Sequence, residues 1–311
     1  MTEGSRKAII AAFLANLGIA VAKLVGFAIT RSAGLLAESM HSLADTGNQA
    51  LLMFGSRRGK RKADAAHPFG YGPERYFWAF VVALVLFSLG GLFALYEGIE
   101  KLIHPHEVES PIVAFVILGV AIVLESLSLR TAVHEARPSK QSGQSWWRFI
   151  HVTKSPELPV VLLEDSGALL GLFFALAGLI LAEITGNPRF DAVGSIAIGA
   201  LLVVIAITLA TEMKGLLIGE AASDDDQQAI EAALVVPASV RGIIHLRTMH
   251  LGPEDLLVAA KIEFDHGLDN AGLSKAIDDA ERSLPRCRAD RHHGVHRAGH
   301  PSPGHDMTAT P

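Results

Sequence analysis

The sequence predicts an all-α membrane domain of six spanning helices, followed by a small cytoplasmic α+β domain. Half of the 311 residues are hydrophobic and only 19% are charged, against about 25% in an average soluble chain. The charge deficit is concentrated in the first two-thirds of the chain, where apolar runs recur at intervals. Because a run of about 20 apolar residues spans a bilayer as a helix, we expect lipid to surround this part.

Six apolar segments are long enough to span. Turn or charge signals separate them, such as Thr30-Arg31-Ser32 and Gly186-Asn187-Pro188. An even number of spans puts both termini on one side of the membrane. The predicted spans are approximately 8–29, 33–55, 76–98, 111–131, 159–182 and 190–212.

Basic residues fall on alternate loops and so predict the orientation. The loops after the second and fourth spans are rich in Lys and Arg, whereas the opposite loops hold little more than Arg31, Lys101 and Arg189. Since cytoplasmic loops carry the excess of Lys and Arg, both termini are expected in the cytoplasm. No targeting peptide is recognised, so the expected location is a bacterial inner membrane. The basic loop residues are Arg57, Arg58, Lys60, Arg61, Lys62 and Arg75, then Arg130, Arg137, Lys140, Arg148 and Lys154.

We divide the chain into a six-helix transmembrane transport domain over 1–213, a cytoplasmic domain over 214–285 and a disordered tail over 286–311. The cytoplasmic domain shows an α-β-β-α order typical of a ferredoxin-like fold, but a final strand cannot be recognised, so the fold is expected to be incomplete. Its predicted elements are a helix over 227–235, strands over 241–250 and 256–264, and a helix over 272–284.

The tail is rich in histidine and nearly devoid of apolar residues, which is typical of disorder. Histidine tracts can bind metal, but divergence of the sequence after Leu284 explains the tail better. The one cysteine, Cys287, excludes an intramolecular disulfide and a cysteine-rich metal cage. The tail histidines are His292, His293, His296, His300 and His305.

Ionisable side chains inside the predicted spans are the candidate functional residues, because charged groups are costly in lipid and tend to mark ion pathways. His41 and Asp45 lie four residues apart in the second span. They therefore share one helix face and can approach a common ion. Glu164 and Asp165 lie together in the fifth span.

Other polar groups in the spans have structural interpretations. Asn48 is expected to hydrogen-bond a neighbouring helix. Glu38, one turn before His41, is expected to pair with Lys23 across helices. The complete set of these further groups is Asn16, Lys23, Glu38, Asn48, Glu125 and Asp191.

One imidazole with two or three carboxylates is a donor set for a divalent cation. Mixed nitrogen and oxygen ligation suits Zn²⁺ and also admits Mn²⁺, Fe²⁺, Co²⁺ or Cd²⁺. Carboxylates would neutralise the ion, and after its departure they would repel one another and take up protons. The sequence thus predicts exchange of a divalent metal, zinc first, for protons, with the metal as cargo and no prosthetic group.

A lone intramembrane histidine more often hydrogen-bonds a neighbouring helix than binds metal. The pairing of an HxxxD motif with a Glu-Asp pair in another span nevertheless favours ligation by His41, Asp45 and Asp165. Glu164 points about 100° around the helix from Asp165. It can be a ligand, a support for a ligand or half of a salt bridge.

Two long blocks, SAGLLAESMHSLADTGNQ and HPFGYGPERYFWAF, and the LLEDS of the fifth span resemble the cation diffusion facilitator family. The resemblance covers approximately residues 8–285. It implies a six-span fold with a cytoplasmic α+β domain, a homodimer, and metal export driven by proton entry. The implied partners are divalent metal ions, the lipid bilayer and a second copy of the chain, with no nucleic acid.

The family's transport site has two ligands four apart in the second span and two four apart in the fifth. His41 and Asp45 match the first pair, and Asp165 matches the second acidic ligand. Four residues before Asp165, however, this chain has Val161. One ligand is therefore unassigned, with Glu164 as the natural substitute.

The resemblance also implies weaker metal positions outside the spans. Asp64 and His67 lie in a loop where relatives can bind a peripheral ion, but the HPFGYG sequence is favoured as a docking turn. His245 matches a regulatory ligand position in the cytoplasmic domain, yet the following strand lacks the partner histidine. We therefore do not expect a cytoplasmic metal site.

Two rival functions were weighed. A membrane-embedded metalloenzyme would also place His and carboxylates in helices, but no HExxH pair and no nucleophile with a nearby base is visible. A haem carrier with two histidine ligands is excluded within one subunit, because His41 is the only clearly intramembrane histidine. A non-enzymatic transporter is the favoured interpretation.

Overall fold

The computed structural model describes residues 3–108 and 110–284, with side chains from residue 17 onward. The His-rich tail, Cys287 and the side chain of Asn16 lie outside this part. Within it, six helices of 26 to 30 residues dominate the chain. They are α1 Glu3–Thr30, α2 Ala33–Gly59, α3 Glu74–Ile103, α4 Pro111–Ala136, α5 Glu157–Thr185 and α6 Arg189–Ile218.

Local sequence explains where several of these helices begin and end. Ser32 caps α2, because its hydroxyl accepts a hydrogen bond from the Leu35 amide. Pro111 starts α4, where its missing amide hydrogen costs nothing. Gly186 ends α5 at φ +64°, a left-handed conformation that glycine adopts without strain. A short helix over Trp146–Val152, which the sequence did not predict, precedes α5.

Four of the long helices, α3 to α6, are long and apolar enough to cross a membrane. The part of α1 with described side chains, Leu17–Thr30, is apolar but shorter than a span. α2 has sufficient length but contains charged residues, among them Glu38 and Asp45. The fold is thus mostly helical, with several membrane-spanning helices.

α2 lies at the centre of the helical unit. It contacts α1, α3, α5 and α6, and α5 in turn contacts α4 and α6. Wholly buried leucines join these helices, including Leu35 of α2, Leu172 of α5 and Leu202 of α6. As a result, the two helices that carry the predicted ligands are direct neighbours.

α3 contains one wide turn, a π-helical segment over Leu86–Leu92. Such segments are rare and often lie at functional sites. Gly90 and Gly91 in this turn permit a close approach of α6, since a Cβ on Gly91 would lie 2.8 Å from a methyl carbon of Val203. A Cβ on Gly90 would lie 4.0 Å from Nδ1 of His41. The wide turn therefore faces the predicted ligand histidine.

A buried ion pair joins three helices at the end of the unit where α2 begins. Lys101 of α3 and Asp191 of α6 pair at 2.9 Å, and both side chains are wholly buried. Asp191 also accepts hydrogen bonds from the Ser32 hydroxyl and the Ala33 amide, each at 2.8 Å. Lys101 donates to the carbonyl of Arg31, a residue with φ +56°. The network thus fixes the start of α2.

The described residues 221–250 and 254–284 form a second compact unit. Its described elements are α7 Asp224–Leu234, β1 Val240–His250, β2 Leu256–Phe264 and α8 Asn270–Ser283. The two strands form an antiparallel hairpin. Ile230, Leu234 and Ala280 of the helices pack against apolar residues of the hairpin. The observed order is the predicted one, and α7 begins three residues earlier because Ser223 caps it.

The Lys101–Asp191 pair should dominate the stability of the helical unit. We expect Lys101→Met to lower the free energy of unfolding by about 3–5 kcal/mol, because a buried carboxylate loses its counter-ion. The midpoint of thermal unfolding in detergent, followed by circular dichroism, measures the effect. Arg282→Met is the control, since its pair with Asp279 is exposed and should contribute little. Equal midpoints for the two variants would contradict this assignment.

Candidate metal centre

His41 and Asp45 lie one turn apart on α2, as predicted, and face each other. Nε2 of His41 is 3.5 Å from Oδ2 of Asp45, with side-chain exposures of 0% and 16%. Among the described residues, neither ring nitrogen of His41 has a hydrogen-bond partner. Oδ1 of Asp45 also has none. Buried polar atoms normally have partners, so these atoms are candidates for binding an ion.

The two acidic residues of α5 diverge, in agreement with their helical spacing. Glu164 is buried against α2, where the Asn48 side chain donates a 2.6 Å hydrogen bond to its carboxylate. Asp165 contacts α4, where the Ser128 hydroxyl donates a 3.0 Å hydrogen bond to the Asp165 carboxylate. The predicted interhelical contact of Asn48 is present and falls on Glu164.

A small cavity lies between these helices. Its volume is about 20 Å³, room for one water molecule or one ion stripped of its hydration shell. His41 does not line it. Four carboxylates do, and they come from three helices. The lining residues are Ile19, Ser42, Asp45, Gln49, Glu125, Val161, Glu164 and Asp165.

The arrangement brings the predicted residues into one region without forming a finished metal site. In the described part of the chain, no three His, Cys, Asp or Glu side chains are grouped closely enough to hold an ion. Val161, which occupies the position of the family's remaining ligand, contributes only an apolar wall. The carboxylates around the cavity are thus too far apart, as placed, to enclose an ion together.

Lys23 lies beside the cavity, on α1. Its ammonium donates to the Ser42 hydroxyl at 2.7 Å and pairs with Glu38 at 3.2 Å and Glu125 at 3.5 Å. The predicted Lys23–Glu38 pair is thus present. The sequence did not predict the contacts of Glu125 and Ser128, because a single polar residue on α4 gives no indication of which helix it faces.

The peripheral loop forms a turn around Asp64. One carboxylate oxygen accepts hydrogen bonds from the amides of Ala66 and His67, and the other accepts one from the Tyr71 hydroxyl at 2.7 Å. The Tyr71 hydrogen bond is the main cause that holds the pKa of Asp64 below its ordinary value. Nδ1 of His67 is 3.5 Å from Asp64. These contacts make Asp64 the centre of a hydrogen-bonded turn in this loop.

His245 lies on β1, opposite Lys261 of β2. A lysine there supplies a positive charge and no metal-binding carboxylate or imidazole. The cross-strand position therefore offers no second ligand to His245.

The family model of the cation efflux transmembrane domain matches residues 9–218. Together with the membrane helices and the carboxylate-lined cavity, this match shows that the chain belongs to the cation efflux family. It is a multi-pass membrane protein of a family that transports metal cations.

Among its relatives is the proton-coupled zinc antiporter SLC30A9, mitochondrial, of Xenopus laevis, with 33% identity over 85% of this chain and 47% of the relative. Metal tolerance protein C4 of Arabidopsis thaliana is 31% identical over 85% of this chain and 58% of its own length. The cation-efflux pump FieF of Cronobacter sakazakii is 28% identical, with 80% and 77% covered. The chain spans about half the length of the first two relatives.

The turn at Asp64 can be tested by titration. We expect Tyr71→Phe to raise the pKa of Asp64 towards the ordinary value of about 3.9, because the main hydrogen bond to the carboxylate is lost. Since the pKa of Asp64 is lowered in the folded loop, the turn is stabilised at neutral pH and loses this stabilisation as pH falls through that pKa. Carbon-13 NMR titration of the aspartate carboxylates, with Asp64→Asn to assign the signal, measures the shift. An unchanged Asp64 curve would contradict the assignment.

Proposed function

We propose that this protein is a secondary active transporter that exports divalent metal cations, zinc first among them, from the cytoplasm in exchange for protons. The observation that carries the proposal is the small cavity between α2, α4 and α5, with its four carboxylates. It offers space for one ion in the part of the chain where free charge is most costly. One relative is a proton-coupled zinc antiporter by name, which supports the same activity.

The proposed ligands are His41, Asp45 and Asp165, with Glu164 as the fourth. Asp45 and Asp165 neutralise the two charges of the ion, and His41 supplies the nitrogen that favours zinc over purely oxygen-preferring ions. Glu164 would exchange its hydrogen bond from Asn48 for the metal. Asp64, His67 and His245 are kept only as weaker candidates for additional ions.

Alternating access would expose this site first to the cytoplasm and then to the opposite side. In the inward-facing state the carboxylates collect metal. α2 and α5 then tilt against their neighbours and release the ion outward. Mutual repulsion of the emptied carboxylates favours protonation, so protons return in place of the metal.

The proposal includes an arrangement in the membrane. Six helices, α1 to α6, would span the bilayer, with both termini in the cytoplasm because the basic loops follow α2 and α4. The chain would work as a homodimer in a bacterial inner membrane. Residues 1–213 would form the transport domain and 214–285 a cytoplasmic domain.

Export of manganese, iron(II) or cobalt by the same mechanism is the principal alternative, since oxygen ligands dominate the cavity. A membrane-embedded metalloenzyme has weaker support. The described residues around the cavity include no activated nucleophile, and two of the relatives are named as a zinc antiporter and a cation-efflux pump.

Sealed vesicles with a trapped pH-sensitive dye and a zinc indicator test the proposed exchange. The wild-type protein should couple zinc movement to proton movement in the opposite direction. Asp45→Ala and Asp165→Ala should reduce both fluxes to the level of empty vesicles, because each removes a charge that the ion needs. Glu183→Ala is the matched control, an exposed carboxylate elsewhere on α5. Full zinc flux in either cavity variant, or zinc flux without protons, would contradict the proposal.

Metal preference can be measured in the same vesicles. Of Zn²⁺, Mn²⁺, Fe²⁺, Co²⁺ and Cd²⁺, we expect zinc to be transported most efficiently. His41→Ala should slow zinc more than manganese, because manganese depends less on a nitrogen ligand. Equal loss for both ions would show that His41 does not select the metal, and faster transport of manganese by the wild type would overturn the assignment of zinc.

A further inference from the structure

Glu125 is the one residue of the cavity wall that comes from α4 and carries a charge. Its side chain is 13% exposed and lies 3.5 Å from the Lys23 ammonium. Three residues further along α4, Ser128 holds Asp165 of α5. Since residues three apart share a helix face, this face of α4 is directed at the proposed metal ligands.

Lys23 does not need Glu125 as its counter-ion. Glu38 is wholly buried and pairs with the ammonium at 3.2 Å, while Ser42 accepts a shorter hydrogen bond. At 3.5 Å, the contact with Glu125 is longer than those with Glu38 and Ser42. The Lys23–Glu38 pair is therefore complete without Glu125, whose carboxylate also lines the cavity.

Asp45 and His41 of α2 have atoms that lack a hydrogen-bond partner among the described residues. Oδ1 of Asp45 is buried without a hydrogen bond within the described chain. Behind it, His41 is wholly buried and directs Nε2 at the same carboxylate. Glu125 and Asp45 therefore line the same small cavity, which has room for a single ion.

We propose that Glu125 is an additional ligand of the transported cation, and that the Lys23 ammonium holds this carboxylate while the cavity contains no ion. The proposal rests on the proposed function and adds a fourth-span residue to its site. When a divalent cation enters, Glu125 exchanges its long contact with Lys23 for the ion. Lys23 keeps Glu38 and Ser42 as partners, so no buried charge is left alone.

A carboxylate from α4 would also replace the ligand that Val161 cannot provide. Glu125 lines the same cavity as Glu164, and its 3.5 Å contact with Lys23 is longer than the 2.6 Å hydrogen bond that Glu164 would exchange for the metal. An additional oxygen ligand suits zinc and also widens the range of acceptable metals towards manganese and iron(II).

Zinc binding to the full-length protein in detergent tests the proposal, with a competing fluorescent zinc chelator to measure affinity. Glu125→Gln keeps the shape and removes the charge, and we expect zinc affinity to fall about tenfold or more, since even groups that merely support metal ligands are worth that much. Glu135→Gln, an exposed carboxylate further along α4, is the matched control and should bind as the wild type does. Thermal unfolding verifies that each variant is folded.

A second set of variants distinguishes two roles of Glu125, as a metal ligand or only as a partner of Lys23. In Lys23→Met/Glu38→Gln, the neighbouring ion pair is removed as a neutral unit. If Glu125 binds the metal, Glu125→Gln still lowers zinc affinity in this background; if it acts only through Lys23, the effect disappears and the proposal fails. Should this background not fold, the infrared difference spectrum on zinc addition decides, because the wild type should show a carboxylate change that Glu125→Gln lacks.

The outcomes distinguish the two proposals. Wild-type protein that binds no zinc, or Asp45→Ala that binds it equally well, overturns the proposed function. Zinc binding that is lost in Asp45→Ala but unchanged in Glu125→Gln, with an unchanged infrared spectrum, overturns only the assignment of Glu125.

Discussion

The constraint on which this structure depends is the cost of charge in a low-dielectric interior. Inside the helical unit, Lys23 has Glu38, Lys101 has Asp191, and Glu164 has the amide of Asn48. Each contact joins different helices, so satisfying the charges also fixes the packing. His41 departs from this pattern, because neither of its buried ring nitrogens has a hydrogen-bond partner among the described residues.

α2 is where these contacts converge. Its first turn is fixed by Asp191, its middle contacts Lys23 through Glu38 and Ser42, and Asn48 reaches α5. A helix restrained in this way cannot move alone, so any change of its tilt must involve α1, α5 and α6. The π-helical turn of α3 lies opposite His41 on α2.

Much of the fold was predictable because the signals are local. Apolar length predicted the six long helices, and the α-β-β-α order of the second unit was predicted as well. The ends were less accurate: α2 continues to Gly59 and α3 to Ile103, since polar residues at a membrane boundary remain helical. The π turn and the helix over Trp146–Val152 were missed, because neither has a distinctive periodicity.

The sequence alone determined which residues are candidates for binding a metal ion, since His41, Asp45, Glu164 and Asp165 are conspicuous in apolar surroundings. Tertiary structure decided their partners: Asn48 for Glu164, Ser128 for Asp165, and a position on the cavity wall for Glu125. The physical reason is that the free-energy cost of burying a side chain depends on its residue type, which the sequence gives directly. The direction of a side chain depends on the rotation and neighbours of its helix, which only packing specifies.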